Sequence, residues 1–246
     1  MSSGNGRKSC MRCIGDEQEA RQSQIDLLEG EIQMPVVDVQ FKLTGKLIPV
    51  DHGYRLLSAV SEIIPELHAR DGIGIHPIFG RLTGNRSLAL NEHSFLTIRL
   101  PSEQIIQILP LAGKTIRIGE DSVHIGVPQT RALVPSARIY SHLVIIKGFM
   151  EPELFLEAVG RQLQNMAVKG KPSLVMHSHI ADSNAGKLSG THSPYLRRTM
   201  KIHDKEIVGF ALRVEELTAE ESIRLQEKGI GGRRRFGCGI FLPERR

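Results

Sequence analysis

The sequence predicts an α+β fold: tandem ferredoxin-like (RRM-like) domains, with a C-terminal glycine-rich loop just before the closing strand. Three observations lead there. A chain of 246 residues with 40% hydrophobic residues can fill two cores, each of about 105 residues. Apolar periodicity runs strand, helix, strand, strand, helix, strand, and then repeats in that order. Near the C-terminus, paired glycines surround a basic centre, and an apolar run at 240–242 follows.

Residues 1–34 are polar and of mixed charge, a mobile leader ordered by a partner or an extension of little consequence. The first domain is placed at 35–134. Val36, Val37, Val39, Phe41 and Leu43 make a strand that Gly45 ends. Asp51 is suited to cap a helix running to Leu67, with Leu56, Val60, Ile63, Ile64 and Leu67 along one stripe. Pro65 kinks that helix or ends it early. Strands follow at 73–79 and 95–100, then a short helix capped by Ser102 and containing Ile105, Ile106 and Leu109. A hairpin of 115–118 with 123–127 turns at Gly119-Glu120-Asp121.

The second domain is placed at 135–246. It opens with a strand at 140–146 and a helix at 151–167 that carries Leu154, Phe155, Ala158, Leu163 and Met166. A strand begins at Leu174. The Ser-, Gly-, His- and Asn-rich stretch 177–195 reads as a surface insertion. Strands 197–202 and 207–214 meet at a tight turn, His203-Asp204-Lys205. Thr218 caps a helix over 219–228, Gly229 stops it, and 236–242 closes the unit.

The loop itself is Gly229-Ile230-Gly231-Gly232-Arg233-Arg234-Arg235-Phe236-Gly237-Cys238-Gly239. No Lys-Ser/Thr follows its glycines, which excludes a P-loop. It follows a helix and opens a strand, the reverse of a dinucleotide fingerprint. Either it is a solvated basic turn, or Gly231, Gly232, Gly237 and Gly239 let backbone N–H groups and Arg233, Arg234 and Arg235 converge on a phosphate. The frame Gly-hydrophobic-Gly, five residues, Gly-hydrophobic-Gly resembles the C-terminal signature of the RAMP superfamily, whose members bind CRISPR RNA. Residues 228–246 hold six Lys/Arg against one Glu, which fits an anionic partner. Aromatics at 4% argue against stacking of bases on an aromatic sheet as the main mode of binding.

His52 is the leading catalytic candidate. It falls in line with Leu56 and Val60, at the edge of the buried stripe. The alternative is a partly buried histidine that packs and bonds a backbone carbonyl. The helix dipole favours a neutral ring there, and Asp51 or a phosphate opposes it. A His so balanced suits general acid–base work, in which a ribose 2′-OH attacks the adjoining phosphorus without a metal or other cofactor. Tyr54 and Arg55 share its helical turn, Arg55 being the better placed for the scissile phosphate, and Lys147 is a candidate from the second unit. The hairpin residues Arg197, Arg198, Lys201, His203 and Lys205 form a basic cluster, either a solvated face or an RNA contact.

Val50-Asp51-His52-Gly53-Tyr54, residues 72–77, 145–149, 198–205 and the glycine loop together are similar to the CRISPR repeat-processing endoribonucleases of the MYXAN-type branch. The similarity spans 35–243. It implies tandem ferredoxin-like domains and metal-independent cleavage of precursor CRISPR RNA within repeats. It also implies retention on the 3′ stem-loop of the CRISPR repeat RNA as a subunit of a type I effector complex, and a catalytic His in the first helix, where His52 lies. A Tyr and a Lys often accompany that His; Tyr54 is at hand, but no Lys lies in this helix. The alternative is a catalytically silent subunit that binds a crRNA hairpin in an effector or transposon-linked complex.

Cys10-x-x-Cys13 lacks a second pair to complete a zinc site, and the three cysteines are expected to be reduced thiols. His177, His179 and His192 sit in polar context as a metal site, an RNA-facing loop or an inert one, the metal being the least expected; His76 is expected to be structural. With no membrane span and no signal-peptide h-region in the sequence, the expected setting is cytoplasmic.

Overall fold

Strand β1 (Val36–Thr44) is the centre of the first sheet, because its alternation puts Val39, Phe41 and Leu43 on one buried face. The computed structural model describes residues 34–69, 72–176, 194–202 and 205–244. After β1 come β2 (Leu47–Pro49), helix α1 (Gly53–Ile63), β3 (Gly74–Ile75), β4 (Arg81–Thr83), β5 (Ser87–Ala89) and β6 (Phe95–Pro101). The single-turn α2 (Ile105–Ile108), β7 (Thr115–Ile118) and β8 (Asp121–Ala132) follow. The sheet order is β3-β6-β1-β8-β7, with antiparallel neighbours throughout. With β7 set aside as an added hairpin strand, this is the strand arrangement of a ferredoxin-like unit. Helix α1 buries Leu56, Leu57, Ala59 and Val60 against that sheet. Each large apolar side chain so buried is worth about 1.5–3 kcal/mol.

The second sheet repeats the plan with β9 (Ile139–Val144), α3 (Pro152–Asn165), β10 (Lys171–Leu174), β11 (Arg197–Ile202), β12 (Lys205–Glu215), α4 (Ala219–Lys228) and β13 (Leu242–Pro243). Its order is β10-β12-β9-β13. β10 pairs with residues 212–215 of β12 and β11 with residues 205–210, so they are successive pieces of one edge. The core there packs Phe155 against Phe210, ring centroids 4.9 Å apart. Thr218 caps α4 as expected. Its hydroxyl accepts the Glu221 N–H at 3.2 Å, while its own N–H donates to Glu221 Oε2 at 3.0 Å.

Several sequence expectations need correction. Asp51 does not cap α1: His52 occupies that position without a side-chain cap bond, and Asp51 Oδ2 instead accepts the Lys201 N–H at 2.9 Å. The helix ends at Ile63, because Pro65 starts a 3₁₀ turn rather than extending the stripe to Leu67. The strand expected at 73–79 pairs as a strand only at Gly74–Ile75, since Pro77 has no N–H and the Ile78 N–H goes to a histidine. Ser102 Oγ caps nothing, and Ile106 faces solvent while Ile108 is buried. The strand expected at 236–242 is reduced to Leu242–Pro243. Gly237 and Gly239 take φ of 88° and 66°, which no strand accommodates. A three-stranded sheet, β2-β5-β4, was not foreseen. The leader with Cys10 and Cys13, the histidines 177, 179 and 192, and His203 lie outside the described residues.

The second face of the first sheet is not open to solvent at Asp38. That residue sits out of phase with the core side chains of β1, directly across from Arg99 of β6. Arg99 is wholly buried and grips the carboxylate through Nε and Nη2 at 2.7 and 2.8 Å. Its Nη1 donates to the carbonyls of Gln226 and Phe241, both at 2.9 Å. One side chain of the first sheet thereby fastens the end of α4 and the segment entering β13.

Candidate active site

A cleft of about 580 Å³ opens beside the start of α1. Its lining includes His52 and His142, the guanidinium groups of Arg86 and Arg198, and the apolar side chains of Phe79, Leu82 and Leu88. Phe79 is half exposed there. Imidazole, guanidinium and an apolar wall in one cavity suit a ligand with a phosphate at one end and a flat apolar group at the other.

His52 is 4% exposed and both ring nitrogens are engaged. Nδ1 bonds the Pro49 carbonyl at 2.9 Å, and Nε2 accepts the Ile78 N–H at 2.9 Å. A ring that donates from Nδ1 and accepts at Nε2 is neutral. Burial pushes its pKa down, against the Pro49 and Val50 carbonyls and Asp51. His52 therefore clips the turn before α1 to the wall segment 77–79. Its lone pair is already committed.

His142 was missed by sequence reasoning. The alternation of β9 buries Ile139, Ser141 and Leu143 and leaves His142 half-buried on the cleft side. A His in the polar phase of an apolar strand was the signal available. Burial, then Arg198, then His52 pull its pKa down to about 4. Arg198 extends from β11 with a buried Nε that has no hydrogen-bond partner.

The other predicted residues are not all gathered here. Tyr54 lines a separate hollow of about 320 Å³ with Leu57, Ser61 and Phe236, its ring parallel to that of Phe236 with centroids 6.3 Å apart. Arg55 is exposed and lies against the Gly119 turn, away from the cleft lining. Lys147 is exposed and does not line the cleft. Arg197 lies over the Phe210 ring at 5.5 Å and donates to the Met150 carbonyl. Lys201 and Lys205 are exposed on the β11–β12 edge.

The glycine loop has an internal reason for its glycines. Gly229, Gly231, Gly237 and Gly239 all have positive φ. A Cβ at Gly231 would collide with the Ile145 carbonyl, and one at Gly239 with the Ile230 carbonyl. The amides are spent inside the protein as well. Gly231 N–H donates to Gln162 Oε1 at 2.8 Å, Gly232 N–H to Ile145 O at 3.0 Å and Gly239 N–H to Leu143 O at 2.8 Å. The convergence of amides on a phosphate expected from the sequence is not the arrangement found. The three arginines also diverge. Arg233 is exposed in the left-handed region, whereas Arg235 Nη1 donates to the Leu67 carbonyl at 3.0 Å. Arg234 turns inward with buried Nε and Nη2 atoms lacking partners, and burial, then Arg99, lower its pKa to about 10.

Beside it, His76 is buried and kept neutral by burial, its Nε2 3.3 Å from Asp38 Oδ1. Burial alone would raise the Asp38 carboxyl, but Arg99 and His76 outweigh it and hold it well below the usual carboxylate range. Cys238 is buried and unpaired, its thiol pushed up to about 12. Among the described residues no group of three or more His, Cys, Asp or Glu could hold a metal ion. Nor is any helix there long and apolar enough to cross a membrane.

Fold and cleft define a class: a tandem ferredoxin-like protein with imidazoles and arginines gathered between its sheets. The family model described as "Cas6 Crispr" matches residues 37–246, and the chain belongs to the Cas6 family. A "CRISPR-associated endonuclease Cas6" of Myxococcus xanthus (strain DK1622) is 34% identical over 210 residues, spanning 85% of this chain and 82% of that relative. The fold resembles the solved structure described as "An RAMP protein binding different RNA substrates", with a TM-score of 0.58 at 12% identity over 84% of this chain and 98% of that one. It also resembles "CRISPR associated protein Cas6", with a TM-score of 0.55 at 10% identity over 85% and 100%.

Proposed function

We propose that this protein is an endoribonuclease that cuts precursor CRISPR RNA within its repeats by attack of the ribose 2′-OH. The cleft carries this reading, because imidazoles and guanidinium groups are the set that a metal-independent transesterification uses. The endonuclease named in Myxococcus xanthus supports it. After cleavage the enzyme stays on the 3′ stem-loop and serves as a subunit of a type I effector complex. The exposed cations Arg197, Lys201, Lys205 and Arg233 supply phosphate contacts.

A second reading, a catalytically silent subunit that holds a crRNA hairpin, draws on one observation: both His52 nitrogens are already bonded. Incubating the protein with repeat RNA in EDTA decides between them. Cleavage is expected, leaving a 2′,3′-cyclic phosphate upstream, and a 2′-deoxy substitution at the scissile nucleotide should block it. Tight binding without a cut would establish the silent subunit.

The divergence of the loop arginines gives a separate expectation. Arg233→Ala should flatten the slope of log K against log salt by about 1 and leave thermal stability unchanged. Arg234→Met, which keeps the buried stem but removes a cation whose Nε and Nη2 have no partner, should raise the melting temperature. Fluorescence-anisotropy titrations at several salt concentrations, with parallel melts, check both. An unchanged slope for Arg233→Ala would leave that side chain without a phosphate contact.

A further inference from the structure

The cleft holds two histidines in opposite states. His52 is saturated by backbone, while no hydrogen bond among the described residues engages either ring nitrogen of His142. Strand pairing accounts for where His142 sits. β9 and β11 flank β12 on its two sides, with Ser141 opposite Leu212 and Arg198 opposite Gly209. The two strands are therefore two strand spacings apart, roughly 10 Å, and the two pairs are offset by the stretch from Gly209 to Leu212 along β12. Side chains from both can reach one phosphate between them. Gly209 is the residue that lets β9 lie this close, since a Cβ there would collide with the Val144 carbonyl.

We propose that His142 is the general base of this cleft, with Arg198 binding the scissile phosphate and His52 acting as a positioning residue. The proposal rests on the ribonuclease reading above. Three observations carry it. His142 is half-buried rather than sealed, and it lines the cavity. Its neighbour Arg198 presents a buried Nε without a partner, a donor that an anionic oxygen would satisfy. His52 cannot take a proton at Nε2 without releasing the Ile78 N–H into an apolar wall.

The charged and titratable groups around His142 are Arg198 from β11, His52 and Asp51 from the turn before α1, and Arg86 beside β5. Burial, then Arg198 and His52, keep the His142 ring neutral. A phosphodiester anion bound at Arg198 offsets that cation and raises the basicity of the ring towards its working range.

In the step, His142 removes the proton from the 2′-OH, and O2′ forms a bond to phosphorus as the bond from phosphorus to O5′ breaks. O5′ takes a proton from solvent, and the imidazolium returns its own. The net transfer is one proton from O2′ to O5′, and the products are a 2′,3′-cyclic phosphate and a 5′-hydroxyl.

The test uses the full chain and repeat RNA under single-turnover conditions. His142→Ala is expected to slow cleavage by about 10²- to 10⁴-fold with Kd within twofold of wild type. Free imidazole should restore part of the rate in proportion to its unprotonated form, which a structural role would not allow. His142→Asn, which retains a polar side chain, serves as the check should the alanine variant misfold, and it should be equally slow. Cleavage by either folded variant within about threefold of wild type overturns the assignment. If His52→Ala alone is then inactive yet folded, the base is His52. Wild-type protein is assayed first: if it binds but never cuts, the ribonuclease reading itself fails and the assignment with it.

Discussion

Asp38→Ala should destabilise the protein by about 3–5 kcal/mol, because it strands the buried Arg99 guanidinium without its counter-charge. The loss reaches beyond the first sheet, since Arg99 also holds the carbonyls of Gln226 and Phe241. Urea unfolding followed by circular dichroism measures it. Replacing both partners, Asp38→Leu with Arg99→Met, should recover part of the loss by removing the unpaired charge, while leaving the two carbonyls unsatisfied. A single substitution costing less than about 1 kcal/mol would mean that water reaches Arg99.

His52→Ala should cost about 2–4 kcal/mol, from an orphaned Ile78 N–H and the space the ring leaves. Its effect on cleavage should differ in kind from that of His142→Ala. Loss of the clip frees the wall segment 77–79, so KM rises and kcat falls together, whereas loss of His142 lowers kcat alone. Steady-state assays on the two variants separate these patterns. A His52→Ala enzyme with normal KM and depressed kcat would move the chemistry back to His52.

The elements best legible in the sequence were those whose determinants are local. Thr218 announced α4, the alternation of Val39, Phe41 and Leu43 announced β1, and Pro65 marked a helix end. The glycine frame was legible as a frame, but its physical reason was not. What fills the missing Cβ positions is the backbone of Ile145 and Ile230, a long-range contact that no window of sequence displays. Arg99 was hidden for the same cause: in the alternation of β6 it occupies a solvent phase, and only the distant Phe241 and Gln226 turn that phase into interior. The candidate site was half legible. His52 was singled out from its stripe, but its engagement depends on Ile78, 26 residues away. His142 comes from the other sheet altogether. Tyr54 and Arg55 share a helical turn with His52, yet one helical turn spreads side chains over all directions, and they point elsewhere.

The reach of Arg99 also bears on how the chain is made. Its acceptor at Phe241 is 142 residues further along. At about 5–20 residues per second, Phe241 is added to the chain roughly 7–28 s after Arg99. Once β1, β3, β6 and β8 have paired, and until Phe241 arrives, the first sheet holds an ion pair whose outward side lacks the cover of Gln226 and Phe241. Water must hydrate it, and the sheet remains only loosely closed on that face. Arrival of residues 226–241 expels that water in one late event. A stalled or truncated chain ending before Phe241 should therefore be a substrate for chaperones and proteases, even with every strand of its first sheet already synthesised.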